Sequence, residues 1–241
     1  KLLVFRSRNC RRDLSAPPVM LNGTALQQVS HESFLGLQID ETVKWYEHTN
    51  KIANCISRKI GMMNKIKKFV SRETLKTVYN TLIQPHLIYG IILWGGTFEK
   101  GLSRIRKLQK KAIRLLTNAK PMDHSEPRQK KLGILKIDDL YKKQVNCFVY
   151  DCLNGHAPPQ FQNSFSYISD SEGTTTRAIT GKPHDIKVSV CPSNRAGPII
   201  GSSFLKKGPE FWNDLPPEIQ ICPNRDLLKR QLKSHYLGKY I

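Results

Sequence analysis

Two adjacent carboxylates, Asp138 and Asp139, are the first residues whose types and spacing suggest catalysis. Two-metal phosphoryl transfer needs adjacent carboxylates on a tight hairpin and a third carboxylate from another strand. Here the pair opens a helical run, where acidic side chains in the first turn complement the helix dipole. We therefore interpret the pair as a helix start, and we predict no catalytic residue in this chain.

Cys147, Cys152 and His156 are the best candidates for a zinc site. Two cysteines five positions apart on a helix point roughly 140° apart, so both cannot face one ion. We therefore expect buried or semi-buried thiols, with no metal and no cofactor. The irregular cysteine spacing argues against a disulfide framework and favours an intracellular location, nuclear or cytoplasmic, over secretion. The six cysteines are Cys10, Cys55, Cys147, Cys152, Cys191 and Cys222.

The strongest pattern is a run of cations between Gly101 and Ala119 that contains no acidic residue. Apolar residues at helical spacing in the same run predict a helix that docks on its neighbours through Leu102, Ile105, Leu108, Ala112, Leu115 and Leu116. Like charges four positions apart, such as Lys107 and Lys111, destabilise a helix, which favours phosphate binding over a plain solvated face. The predicted nucleic-acid contacts, all expected to point outward, are Arg104, Arg106, Lys107, Lys110, Lys111 and Arg114. A second, weaker cluster contains Arg58, Lys59, Lys65, Lys67 and Lys68.

The overall charge agrees with a polyanionic partner. Thirty-nine Lys and Arg against nineteen Asp and Glu give a formal net charge of +20. A field of that size attracts nucleic acid, although an anionic membrane surface is an alternative that charge alone leaves open. The longest apolar stretch, residues 87–94, is far short of the roughly 20 residues that span a bilayer, so we expect no membrane span.

The elements that must position these residues predict an α+β fold in three regions. Residues 1–44 are expected to form short antiparallel hairpins, because Asn22-Gly23 between apolar runs is typical of a type I′ turn. Residues 33–40 are expected to form one strand, in which Gly36 marks a bend or a close approach by another backbone. Since the chain opens at Lys1 inside a strand-like run, we expect the natural protein to continue upstream.

Residues 45–135 are expected to form a mainly helical region. Ser71 resembles an N-cap, and Pro85 should end or kink the second helix. Residues 136–241 are expected to be mixed and loop-rich. Helices are predicted near 137–153 and 225–236, and a short strand near 186–190.

Several motifs occur in the order found in one protein family. Residues 33–40 read Ser-Phe-Leu-Gly-Leu-Gln-Ile-Asp, and residues 45–48 read Trp-Tyr-Glu-His. Residues 82–95 contain Leu-Ile-Gln-Pro-His-Leu-Ile-Tyr-Gly and then Leu-Trp-Gly, residues 105–114 contain a Gln-x-x-Ala-x-Arg helix, and residues 211–219 read Phe-Trp-Asn-Asp-Leu-Pro-Pro-Glu-Ile. Together these motifs resemble the C-terminal part of reverse transcriptases from LINE-type, non-LTR retrotransposons of the jockey, CR1 and L2 type.

The resemblance implies specific roles. Residues 1–44 would be the end of the palm, with a primer-grip-like hairpin at Phe34, Leu35 and Gly36, and residues 45–135 would be a thumb-like domain. The thumb would lie against an RNA–DNA hybrid or RNA, recognised by shape and backbone. The partners would include the upstream palm and fingers, which would carry the catalytic aspartates and Mg²⁺, so this fragment is expected to be inactive as a polymerase.

Two other classes of function stay open. The chain could be a free-standing basic nucleic-acid-binding module without a polymerase role, or a helical domain that binds a protein or a membrane surface. A competition between RNA–DNA hybrid and anionic liposomes would separate these classes.

Overall fold

A computed structural model describes residues 1–5, 18–97, 99–120, 123–168, 184–188 and 204–241. As predicted, the fold is α+β, with short strand pairs at the N-terminus followed by a helical body. The strands are β1 Leu2–Leu3, β2 Met20–Leu21, β3 Thr24–Ala25, β4 Gln28–Val29, β5 His31–Phe34, β6 Leu37–Asp40, β7 Phe165–Tyr167 and β8 Ile186–Val188. The helices are α1 Tyr46–Ile66, α2 Arg72–Leu82, α3 Gln84–Ile88, α4 Ile91–Trp94, α5 Glu99–Thr117, α6 Glu126–Leu132, α7 Ile137–Leu153, α8 Pro159–Gln162, α9 Phe204–Asn213, α10 Pro217–Gln220 and α11 Arg225–Gly238.

The predicted Asn22-Gly23 hairpin is confirmed. Strands β2 and β3 pair antiparallel, with Leu21 opposite Thr24, and both turn residues have positive φ, 50° at Asn22 and 76° at Gly23. These are the backbone angles that a type I′ turn requires. Strand β1 instead pairs parallel with β4, so the N-terminal region is not purely antiparallel.

The prediction of one bent strand over residues 33–40 is wrong. Strands β5 and β6 form a second antiparallel hairpin, in which Phe34 pairs with Leu37 across the turn of Leu35 and Gly36. Both turn residues again have positive φ, 47° at Leu35 and 82° at Gly36. Gly36 therefore marks a complete reversal of the chain rather than a bend within a strand.

The helical body is built around α1, α2 and α5. Ser71 caps α2, because its hydroxyl accepts a hydrogen bond from the Thr74 amide at 3.1 Å. Helix α2 ends just before Pro85, which lies in the first turn of α3. Both observations confirm what the sequence predicts. None of the described helices combines the length and apolar character that crossing a bilayer requires.

The C-terminal region adds α7 and α11 to the same core. Buried apolar residues form one cluster from Leu37 through α1, α5 and α7 to Tyr240. The divisions at residues 44 and 135 remain predictions. The predicted helices near 137–153 and 225–236 are present as α7 and α11. Of the predicted strand near 186–190, β8 covers the first three residues, and residues 189–190 lie outside the described residues, as do Cys10 and Cys191.

Candidate nucleic-acid interface

Helix α5 divides into a buried stripe and an exposed basic face. The buried stripe differs slightly from the predicted one. Leu108 and Leu115, which were predicted to face the core, are only partly buried. Gln109 and Ile113, which the pattern did not single out, are buried instead. The buried residues of the helix are Leu102, Ile105, Gln109, Ala112, Ile113 and Leu116.

Gln109 is buried because its side chain satisfies three groups from other elements. Its amide nitrogen donates to the Leu135 carbonyl at 2.9 Å and to the Tyr79 hydroxyl at 3.3 Å. Its amide oxygen accepts from the Ile137 amide at 3.0 Å. A buried amide with these partners avoids the desolvation penalty of an unpaired polar group, and it fixes the rotation of α5 about its axis.

The exposed face of α5, hereafter the α5 basic face, carries three lysines. Lys107, Lys110 and Lys111 are exposed and make no ion pair within the described residues. Arg104 donates to the Asn54 side chain on α1 at 2.7 Å, a neutral contact that keeps its charge available. Arg114 is half-buried and donates to the Asp123 carbonyl at 3.2 Å.

The expectation that all six cations point outward is wrong for Arg106. Its guanidinium makes a bidentate hydrogen bond to Asp138, with distances of 2.7–3.0 Å, and also binds Glu99. The Asp138 carboxylate, followed by Glu99, raises the pKa of Arg106. At about 100° per residue, Arg106 lies at the edge of the buried stripe, on the side facing α7. It therefore joins α5 to α7 and is removed from the α5 basic face.

The paired aspartates at the start of α7 both have structural partners. Asp138 binds Arg106, and Asp139 accepts a hydrogen bond from the Tyr240 hydroxyl at 2.7 Å. Both lie in the first turn of α7, as predicted. Cys147 and Cys152 on the same helix are buried, and burial raises the pKa of the Cys152 thiol to about 11. Among the described residues there is no cluster of three metal-binding side chains.

The tip of the β5–β6 hairpin is exposed but fixed in position. Phe34 is 63% exposed and Leu35 is 73% exposed. The Tyr89 hydroxyl donates to the Leu35 carbonyl at 2.6 Å, and the Tyr89 ring lies against Gly36. The tip thus presents two apolar side chains to solvent on a backbone that the helical body holds in place.

The base of the same hairpin is held by a carboxylate. Asp40 accepts hydrogen bonds from the Thr42 hydroxyl and amide and from the Lys44 and Trp45 amides, at 2.6–3.1 Å. Burial opposes ionisation, but these hydrogen bonds lower the pKa of Asp40 below its ordinary value. The turn from β6 into α1 is therefore closed by a single ionised side chain.

His48 on α1 provides a second attachment for the hairpin. Its Nδ1 accepts from the Gln38 amide of β6 at 3.4 Å, and its ring packs edge-on between Trp45 and Trp94. Burial, together with the nearby Lys51 ammonium, lowers the pKa of His48 to about 4. The ring is therefore neutral at physiological pH and serves as an acceptor and a packing group.

A groove of about 510 Å³ opens between the hairpin tip and α1. Gly36 and Tyr89 line one side of it, and Lys51 and Arg58 of α1 line the other. Lys51, which lies one turn after His48, was not among the predicted contacts. Its signal was the spacing of seven residues to Arg58, which places both side chains on one face of a helix.

The second predicted cluster runs along the second half of α1 and just beyond it, with Arg58 exposed beside the groove and the Lys59 ammonium donating to the Leu82 carbonyl at 2.8 Å. Lys65 is in the last turn, and Lys67 and Lys68 follow it. Cations at this end of a helix complement the dipole, so part of their role is structural. The neighbouring Phe69 is 85% exposed. The cluster is separate from the α5 basic face along the sequence, and its binding role remains a prediction.

Proteins of similar sequence support the resemblance that the motifs indicate. The chain is 24% identical over 128 residues to the RNA-directed DNA polymerase from mobile element jockey of Drosophila melanogaster, a match that covers 52% of this chain and 14% of that protein. It is 25% identical over 151 residues to the jockey polymerase of Drosophila funebris, covering 61% and 16%. It is 27% identical over 104 residues to the probable RNA-directed DNA polymerase from transposon BS of Drosophila melanogaster, covering 42% and 12%. This chain is similar to RNA-directed DNA polymerases of non-LTR retrotransposons.

No family model and no solved structure matches the chain. The matched residues span 12–16% of the length of these curated relatives, so the chain corresponds to a small part of such a polymerase. Several motif residues of this chain have structural roles. Gln109 joins α5 to α7, Tyr89 holds the hairpin tip, and the indole of Trp212 is buried and donates to the His184 carbonyl at 3.2 Å.

Proposed function

We propose that this chain grips the primer–template hybrid of a retrotransposon RNA-directed DNA polymerase, and that other parts of the polymerase carry the catalytic carboxylates. The observation that carries the proposal is the α5 basic face, on which Lys107, Lys110 and Lys111 are exposed and unpaired within the described residues. Lysines in such a row can contact successive phosphates of one strand and release condensed counterions.

The hairpin supports a contact with the end of the primer. Its tip carries Phe34 and Leu35 into solvent, and the groove beside it is bordered by Lys51 and Arg58. An apolar tip can stack on or press against the terminal sugar and base, while the cations hold the adjacent phosphates. Because Tyr89 holds the tip in place, the contact with the primer would occur at a fixed distance from α1.

The commitment of Asp138 and Asp139 to Arg106 and Tyr240 supports the absence of catalysis by this chain. A two-metal site needs carboxylates free to bind cations. We expect no primer extension above background when this chain is mixed with Mg²⁺, dNTPs and primer–template. Extension that depends on Asp138 or Asp139 would overturn this part of the proposal.

Fluorescence anisotropy with an RNA–DNA hybrid tests the grip. We expect the double substitution Lys107→Glu and Lys110→Glu to weaken binding severalfold and to reduce the salt dependence by about two phosphate contacts. The matched control is Lys187→Glu with Lys206→Glu, which reverses two exposed charges away from α5. Equal weakening by both pairs would mean that net charge alone drives binding.

Anionic liposomes provide the competing surface. The proposal requires that the α5 pair affect hybrid binding more than liposome binding. Equal affinity for hybrid and liposomes, with no effect of the α5 pair on either, would favour a membrane-surface or protein-interaction domain. The Phe34→Ser substitution changes only an exposed side chain. It should weaken binding to a hybrid with a recessed primer end more than binding to a closed hybrid that has no free primer end.

A further inference from the structure

A cavity of about 600 Å³ lies beside α3 and shares Pro85 and Tyr89 with the lining of the groove at the hairpin tip. It is lined by α2, α3, α7, α11 and the segment after α6. Three lysines from three different helices converge on it, namely Lys76 of α2, Lys143 of α7 and Lys233 of α11. We refer to it as the lysine cavity. Its size is in the range of cavities that bind small molecules.

The lysines of this cavity have no carboxylate partner in the part of the chain that the structure describes. None of them takes part in an ion pair there, and the described residues that line the cavity include no acidic one. Lys143 is half-buried. A Cβ added at Gly133 would lie 3.7 Å from the Lys233 Nζ, so that ammonium sits against the loop that closes α6.

Convergence of three like charges is unfavourable in the absence of an anion. Burial lowers the pKa of Lys143, and the ammonium groups of Lys233 and Lys229 lower it further, although Cys147 has the opposite effect. A bound anion would relieve both the repulsion and the burial penalty.

The remaining polar lining fits a phosphate-bearing ligand. Asn80 and Gln84 supply neutral amide groups beside the lysines, and Tyr89, Ile88 and Leu140 supply apolar surface. Lysine is a point-charge donor that suits phosphate oxygens, and amides can bind a sugar or base next to them.

We propose that the lysine cavity is a second phosphate-binding site, separate from the α5 basic face. Its ligand carries at least two phosphates, either neighbouring phosphates of a nucleic-acid strand or those of a nucleotide-like polyphosphate. The site gives α11 a role in ligand binding through Lys233. The inference does not rest on the α5 basic face, because none of the described residues of that face lines the cavity.

Isothermal titration calorimetry with inorganic tripolyphosphate tests the site directly. We expect one binding event per chain, weakened about tenfold or more in the Lys143→Gln, Lys233→Gln double variant. The single Lys233→Gln variant changes an exposed side chain and should weaken binding in the same direction without affecting the fold. A Lys107→Gln, Lys110→Gln control should bind tripolyphosphate as the unaltered chain does.

Two results would overturn the proposal. The first is the absence of a one-to-one binding event with the unaltered chain. The second is equal weakening by the cavity variants and by the α5 control, which would mean that tripolyphosphate binds the basic surface in general. In that second case the grip by α5 would stand, so the failures of the two proposals are distinguishable.

Lysine acetylation read by mass spectrometry separates the two sources of phosphate. If a nucleic-acid strand is the ligand, an RNA–DNA hybrid or single-stranded RNA protects Lys143 and Lys233. If a polyphosphate is the ligand, tripolyphosphate protects these two lysines and nucleic acid protects only the α5 lysines. Protection of neither lysine by any of these ligands would contradict the site.

Discussion

The two hairpins of this chain close with the same kind of turn, but they hold it in different ways. In the β2–β3 hairpin the turn residues are Asn22 and Gly23, and nothing lies within 4 Å of where a Cβ of Gly23 would be. In the β5–β6 hairpin the turn residues are Leu35 and Gly36, and Tyr89 contacts both of them. All four residues have positive φ.

The difference lies in where the stability of each turn comes from. Asn and Gly adopt positive φ readily, so the first turn forms from local preference. A leucine at positive φ costs about 1–2 kcal/mol, so the second turn needs tertiary contacts to offset that cost. Local strain maintained by distant contacts is typical of sites where position matters. The second hairpin is accordingly the one beside the basic groove.

Substitution of Gly90 should have the largest effect on the fixed hairpin. Gly90 has φ of 61°, and an added Cβ would lie 2.9 Å from the Leu37 side chain beneath the hairpin. We expect Gly90→Ala to lower the free energy of unfolding by about 3 kcal/mol, through backbone strain and overpacking. Chemical denaturation measures the change. Gly61→Ala, in α1 with open space around it, should be neutral or stabilising; similar losses in both variants would refute the role of Leu37.

The attachment through His48 should make stability depend on pH. Because its pKa is about 4 in the fold and 6.5 ordinarily, the unfolded chain binds the proton first as pH falls. The contribution of neutral His48 is therefore complete above about pH 6.5 and is lost progressively toward pH 4. We expect His48→Gln to reduce the loss of unfolding free energy between these values, measured by denaturation at each pH. An exposed-site control, His31→Gln, should leave the loss unchanged.

Removal of the Tyr89 hydroxyl should have a smaller and more local effect. We expect Tyr89→Phe to lower the free energy of unfolding by about 0.5–1 kcal/mol, because one hydrogen bond to the Leu35 carbonyl is lost. Hydrogen exchange should then accelerate at the β5–β6 turn and stay constant at the β2–β3 turn. Tyr46→Phe on α1 is the control. Acceleration at both turns would mean that the hairpins are not held differently.

Relief of the leucine strain should give the smallest change. Leu35→Gly removes the cost of positive φ but adds freedom to the unfolded chain, so we expect a gain of about 0.5 kcal/mol in unfolding free energy. Asn22→Gly, which starts from an unstrained residue, should show no gain. Hybrid binding should nevertheless fall in Leu35→Gly, since an exposed apolar side chain of the tip is lost. A similar gain in unfolding free energy in both variants would mean that the turn at Leu35 is no more strained than the turn at Asn22.

The sequence predicts those features that depend on neighbouring residues. The Asn22-Gly23 turn, the Ser71 cap and the helix break before Pro85 each follow from local chemistry, and each is present. The turn at Leu35 was not predictable in this way, because its partner Tyr89 lies 54 positions away. Leucine carries no turn signal of its own.

The basic helix shows the same division. Its amphipathic pattern predicts which side faces the core, and Lys107, Lys110 and Lys111 are exposed as expected. The ion pairs of Arg106 were not predictable, because Asp138 belongs to another helix and Glu99 precedes the acid-free run. The burial of Gln109 was missed for a related reason. Its partners include Tyr79 and Ile137, which only the folded chain brings together.

Asp40 couples two parts of the molecule mechanically. Its carboxylate accepts hydrogen bonds from the backbone amides of Thr42, Lys44 and Trp45, between β6 and the start of α1, and these bonds restrict movement of the hairpin about that junction. If a ligand bound at the far end of α1 and tilted the helix, the hairpin tip would therefore move together with it. The position of Gly36 beside the groove would then depend on the tilt of α1, whose far end is more than 20 residues from Asp40 along the chain.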